Sequence, residues 1–190
     1  MAIPILPTFS AGEILTSSVM NDVSTLGNYQ GLFHIKTQTI GTAVSSVTVT
    51  GAFSSDFDNY KIIVGGGTAT TASSIGFRLG ASTTEYYAGL IFIPYAGGLT
   101  SATVSNGATY TYAGAAETLG LQVNLEVMNP FIAKTTTITG AYAGNRTGSV
   151  GGNVNGFHNS AVSYSAFTLL AGAGTFTGGT IRVYGYRNSL

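Results

Sequence analysis

The chain reads as an all-β protein, an antiparallel jelly-roll-like β-sandwich preceded by a short extended arm and helix. Three observations lead there. Apolar residues recur with a period of two through most of the chain, and Gly-, Ser- and Asn-rich breaks separate the runs. Charged residues make up only 7% of the 190, against roughly 25% in an average soluble domain.

The period is clearest where Leu119, Leu121, Val123, Leu125 and Val127 alternate with Gly120, Gln122, Asn124 and Glu126, the signature of a half-buried strand. Shorter runs cover 32–40, 44–53, 60–64, 75–79, 86–93, 109–112, 134–142, 162–170 and 180–186. Between them stand Gly65-Gly66-Gly67, Ala96-Gly97-Gly98, Ser105-Asn106-Gly107 and Gly178-Gly179, residues that accept the positive φ of turns. Many short strands with no second helical segment predict a sandwich over residues 31–190. The Gly-rich stretch 141–156, with Arg146 inside it, reads as a long surface loop.

Residues 1–30 differ from this body. Pro4 and Pro7 fix φ and remove two N–H donors, so the first stretch is expected to be extended. Thr16 can then cap a short helix, with Leu15 and Met20 spaced as a hydrophobic staple. Val19, Val23 and Leu26 fall at i, i+4 and i+7, and Gly27 can end the helix. A stripe that narrow needs a partner surface. Leu15, Val19, Met20, Val23 and Leu26 are therefore the candidate attachment residues.

Composition excludes several kinds of chemistry. Cysteine is absent, which removes disulfides, zinc ribbons and a Cys nucleophile. Seven basic residues dispersed over the chain offer no patch on which to displace counterions from a nucleic acid. The greasy run 86–99 is interrupted by Pro94 and several glycines and is shorter than the roughly 20 residues of a membrane-spanning helix. The opening residues carry no basic n-region, so synthesis in the cytoplasm without a secretion signal is expected. With seven acidic and seven basic residues the net charge is zero; little repulsion keeps copies apart, and an oligomer is expected.

The inventory for catalysis is thin. His34 lies in a predicted strand and His158 near a predicted loop, without metal-ligand spacing. Asp56 and Asp58 are the one acidic cluster, and they read as a turn before Tyr60 more naturally than as a calcium loop. No nucleophile-elbow, zinc-protease or phosphate-loop motif is present. We therefore expect no catalytic residue, no cofactor and no metal. Tyr86, Tyr87, Tyr95, Tyr110 and Tyr112 are candidates for stacking on sugar rings, since a tyrosine offers a flat amphipathic face; cross-strand packing is the competing role.

Two passages carry a family resemblance. Phe9-Ser-Ala-Gly-Glu-Ile-Leu-Thr16, followed by Met20-Asn21, resembles the opening of many bacteriophage tail-fibre and minor virion proteins. Phe53-Ser-Ser-Asp-Phe-Asp-Asn-Tyr60, with Gly178-Gly-Thr-Ile-Arg-Val-Tyr-Gly-Tyr186, resembles the β-sandwich domains of phage appendage proteins. The resemblance implies a virion structural protein, a fibre, spike or capsid-decoration subunit assembled as a homotrimer. Residues 1–30 would hold it to other virion proteins. It leaves open a receptor-binding tip that recognises host surface carbohydrate.

Overall fold

The computed structural model describes residues 31–144 and 150–186, together with Gly12, Ile14, Thr16 and Ser17. The attachment residues Leu15, Val19, Met20, Val23 and Leu26 lie outside the described residues, as does Arg146. Strands β1 (Leu32–Thr39), β2 (Ser46–Val49), β3 (Asn59–Gly65), β4 (Thr68–Ala69) and β5 (Ser73–Leu79) come first. They are followed by β6 (Tyr86–Pro94), β7 (Thr100–Gly107), β8 (Tyr110–Glu117), β9 (Gly120–Met128) and β10 (Thr136–Gly144). The last are β11 (Val150–His158), β12 (Phe167–Ala171), β13 (Phe176–Thr177) and β14 (Thr180–Tyr186).

The pairs are antiparallel; β4 and β13 form a small two-stranded sheet of their own, and the other twelve strands build two layers that share one strand. The larger layer runs β1-β14-β3-β9-β10-β11-β6-β7, and the smaller β2-β12-β5-β8. Strand β9 belongs to both: Gly120–Val123 pairs with β8, while the following residues to Met128 lie between β3 and β10. Its alternation explains this double duty, because Leu121, Val123, Leu125 and Val127 are all buried between the layers. The chain changes layer between β1 and β2, β2 and β3, β3 and β5, β5 and β6, β7 and β8, β11 and β12, and β12 and β14. Such repeated crossing gives the sandwich its jelly-roll character.

Aromatic side chains fill the gap. Phe53 packs edge-on against Tyr60 with ring centroids 4.7 Å apart, and Phe77 stacks on Phe167 at 5.2 Å. Tyr110 on β8 donates its hydroxyl proton to the Ile138 carbonyl on β10 at 2.9 Å, tying the layers together. The phenol of Tyr86 on β6 accepts from the Leu79 N–H of β5 at 2.7 Å. Both rings are fully buried, so each of these polar groups needs its partner.

Three segments depart from the sequence reading. The described residues of the stretch 141–156 are strand and not loop: β10 continues to Gly144 and β11 occupies Val150–His158, paired residue for residue with β10 and β6. Its glycines serve close approach instead of turning. A Cβ on Gly156 would lie 2.0 Å from the Tyr87 carbonyl oxygen and 2.8 Å from the Tyr110 ring, and one on Gly152 would lie 2.2 Å from the Ile91 carbonyl oxygen. Strand β7 falls in a Ser- and Thr-rich segment with no clear apolar run. The predicted strand 162–170 begins only at Phe167, because Tyr164 N–H bonds Pro130 and the Ser165 carbonyl accepts from Ala52 and Phe53.

These contacts set testable stabilities. Gly156→Ala should destabilise the protein by about 1–3 kcal/mol, the usual cost of overpacking. Gly120→Ala, where an added Cβ meets nothing within 4 Å, should stay within about 0.5 kcal/mol of wild type. Urea unfolding of the two variants checks the contrast. Tyr110→Phe removes the phenol donor from the buried Ile138 carbonyl and should cost on the order of 1 kcal/mol in the same experiment.

Candidate functional site

The five candidate tyrosines do not form one site. Tyr86 and Tyr110 are core residues with 0% exposure, and they cannot present a face to a sugar. The pattern of β6 explains the error for Tyr86. Tyr86, Ala88 and Leu90 point inward, and Tyr87, Ile91 and Ile93 point outward, so both faces of the strand are apolar and composition does not reveal the inward one. Tyr112 is half-buried and packs against the core. Only Tyr87 and Tyr95 share the outer face, and they are eight residues apart, about 26 Å along an extended strand.

Around Tyr87 a shallow groove of about 230 Å³ opens on the outer face of β11, β6 and β7. Tyr87 and Phe157 stand on neighbouring strands with their rings stacked 5.0 Å apart at 17°. Gly89 leaves the floor bare, and Asn155 and Thr103 flank it. The lining is uncharged; it can take an apolar side chain or the flat face of a sugar ring with a few hydrogen bonds. Phe157, Asn155 and Thr103 escaped the sequence reading because their strands did. Tyr95 lies 72% exposed at the far end of the same face. An added Cβ on Gly151 would sit 2.9 Å from its hydroxyl oxygen, so that glycine makes room for the ring over β11.

A second groove, about 360 Å³, lies at the other wing and is lined by Asn59, Tyr60, Glu126, Val127, Met128 and Tyr186. Here the polar groups answer one another. Lys61 forms an ion pair with Glu126, and the Tyr186 hydroxyl donates to the other Glu126 oxygen at 2.5 Å. Burial, helped by the adjacent carboxylate, pushes the Tyr186 phenol up to about 12. The phenol therefore keeps its proton throughout the neutral range.

His158 ends β11 with no exposed surface, its Nε2 2.8 Å from Ser82 Oγ. The Tyr86 ring lies against it at 4.3 Å, and the Tyr164 ring meets it edge-on at 5.5 Å. Neither groove includes this Ser–His pair among its lining residues; its visible role is to pin the turn before β6 onto β11. Nearby, Glu85 holds a positive φ of 66° while its N–H donates to the Asn106 side chain. His34 is exposed on β1, hydrogen-bonded to Thr37. Asp56 lies in the turn before β3, where its carboxylate accepts from the Ser54 hydroxyl at 3.2 Å. Among the described residues no three His, Asp or Glu side chains converge to hold a metal ion.

Burial pushes the His158 imidazole below its ordinary value, against the smaller opposing pull of the Thr84 backbone and the Glu85 carboxylate. The unfolded chain takes up this proton near pH 6.5, whereas the folded protein does so only at lower pH. Stability from this group is thus complete above about pH 6.5 and is lost as the pH falls below it. The melting temperature of the wild type should drop from pH 7 to pH 5 more steeply than that of His158→Gln, as scanning calorimetry can show.

No family model matches this chain, and no curated protein does. Among solved structures, the infectious bursal disease virus Gt strain structure aligns at 12% identity over 83% of this chain and 42% of that one, with a TM-score of 0.14. The VP2 subviral particle of the same virus aligns at 11% identity over 80% of this chain and 41% of that one, also at 0.14. This chain thus spans about two fifths of the length of those chains. A likeness at that level does not fix a shared fold or function.

Proposed function

We propose that the protein is a structural subunit of a bacteriophage particle, a fibre, spike or capsid-decoration protein that packs and binds and does not catalyse. It would act as a homotrimer held to other virion proteins through residues 1–30. The observation that carries this reading is the chemical character of one broad face. Strands β10, β11, β6 and β7 lie side by side, and none of them contains an Asp, Glu, Lys or Arg. A soluble monomer normally clothes such a surface in charge, while a subunit built into an assembly covers it with neighbours. The opening Phe9 to Asn21 supports the phage assignment through its resemblance to virion proteins. The body supports it through its fold, the antiparallel sandwich that the resemblance implies.

A second reading is favoured by the groove beside Tyr87. Its ring pair, the Asn155 amide and the Thr103 hydroxyl suit a neutral sugar, as a receptor-binding tip would need.

Two experiments separate these readings. Deleting residues 1–30 should leave a β-rich body that melts cooperatively yet no longer joins the particle, as quantified by the protein content of purified virions. Normal incorporation of the truncated chain would assign attachment elsewhere. For the receptor reading, Tyr87→Ala should reduce binding of the isolated protein to host cells at least tenfold, with free surface glycan competing. Equal binding by the variant would remove the groove from recognition.

A further inference from the structure

We infer that the outer face of β10, β11, β6 and β7, together with the free edge of β7, is where a second copy of this chain packs. The inference rests on the oligomeric reading above and adds the surface that makes the contact.

Four features of the molecule converge on this face. The first is exposed apolar area concentrated in one hairpin. Ile91 is 58% exposed, Ile93 52%, Tyr95 72% and Leu99 73%. Single exposed apolar residues are ordinary, but a contiguous patch marks an interface. The second is the state of the sheet edges. An edge strand left in water is usually kept short, bulged or charged, because its unpaired N–H and C=O groups invite another strand. The edge strand β2 has four residues, and β1 carries Lys36 with a register shift between His34 and Lys36. Strand β7 has eight residues, Thr100–Gly107, with no Lys and no Pro among them, and β6 is its one strand partner among the described residues. A register shift between Val104 and Gly107 bulges the end of β7, so the unguarded part of this edge is the regular, uncharged stretch Thr100–Val104.

The third feature is size. Four strands about 4.8 Å apart and nine residues long at about 3.3 Å each span roughly 19 by 30 Å. That is on the order of 600 Å² in plan, before side-chain relief is added, close to the ~800 Å² per partner that stable interfaces bury. The fourth is charge. A nucleic acid, or an acidic or basic peptide, finds nothing here to pair with, whereas an uncharged face is complementary to its own copy without repulsion. The opposite wing differs, since Lys36, Lys61, Glu126 and Arg182 lie on β1, β3, β9 and β14.

The test is sedimentation of the full chain over a concentration series. Ile93→Asp and Leu99→Asp each put a carboxylate on the exposed face. Thr39→Asp puts the same charge on the exposed part of β1 and serves as the control. Circular dichroism melts check that all three fold as the wild type does. We expect Ile93→Asp and Leu99→Asp to raise the concentration for half-assembly at least tenfold, and Thr39→Asp to leave it unchanged. If the wild type assembles and both face variants assemble equally well, the contact lies on another surface and this inference fails while the oligomeric reading stands. If Thr39→Asp weakens assembly as much as they do, the β1 wing is the interface, and the inference fails again. A wild type that stays monomeric at every concentration overturns both.

Discussion

Strand β9 is the member on which the two layers depend. Its first half is hydrogen-bonded into the small layer and its second half into the large one, so one backbone fixes how far apart the layers stand and at what register they meet. The aromatic filling then follows from that spacing. Tyr110, one strand over from β9 in the small layer, is carried to where its hydroxyl meets Ile138 on β10, β9's neighbour in the large layer. A ring that size fits only because β11 is bare at Gly156. Shared strand, buried phenol and missing Cβ are three parts of one constraint, and interiors packed at crystal-like density tolerate little change in any of them.

How much of this could be read from the sequence depended on which physical signal each strand uses. Strands β3, β9 and β14 announce themselves because β-branched and aliphatic residues alternate with polar ones, and burial follows the alternation. Strand β11 hides because its packing is achieved by leaving atoms out. Val150, Val154 and His158 face inward while Gly151, Gly152 and Gly156 read as a loop. In β7 the polar face leaves Ala102 and Val104 as the only half-buried residues that carry an apolar side chain, too weak a pattern to find. The tyrosines failed for a different reason. On β6 either parity satisfies a hydrophobic pattern, and only the pairing to β11 determines that Tyr86 enters the core while Tyr87 stacks outside on Phe157.

Charge is distributed as unevenly as apolar area. The ionic groups of the described body lie on β1, β14, β3 and β9, at Arg78 on β5 and Glu117 on β8, and in turns such as those holding Asp56, Asp58 and Glu85, while strands β10, β11, β6 and β7 have none. Hydration therefore differs between the two wings. Salt screens charged surfaces within about 10 Å at moderate ionic strength, but it has little hold on a neutral face whose association is driven by removing apolar surface from water. Low overall charge is thus less a property of the whole molecule than of the half that carries the bare hairpin.

The pairing of β1 with β14 has a mechanical side. Leu32 stands opposite Tyr186 and Thr39 opposite Thr180, so the described body is entered and left at neighbouring points on one end of an antiparallel ribbon. A load applied between those two points opens the ribbon as a zipper, one hydrogen bond at a time and at low force. A load applied between Leu32 and Thr180, which stand at opposite ends of the pair, runs along the strands and strains the hydrogen bonds of the ribbon together. The same body is therefore weak along one direction of pull and strong along the other, and the direction is chosen by where it is held.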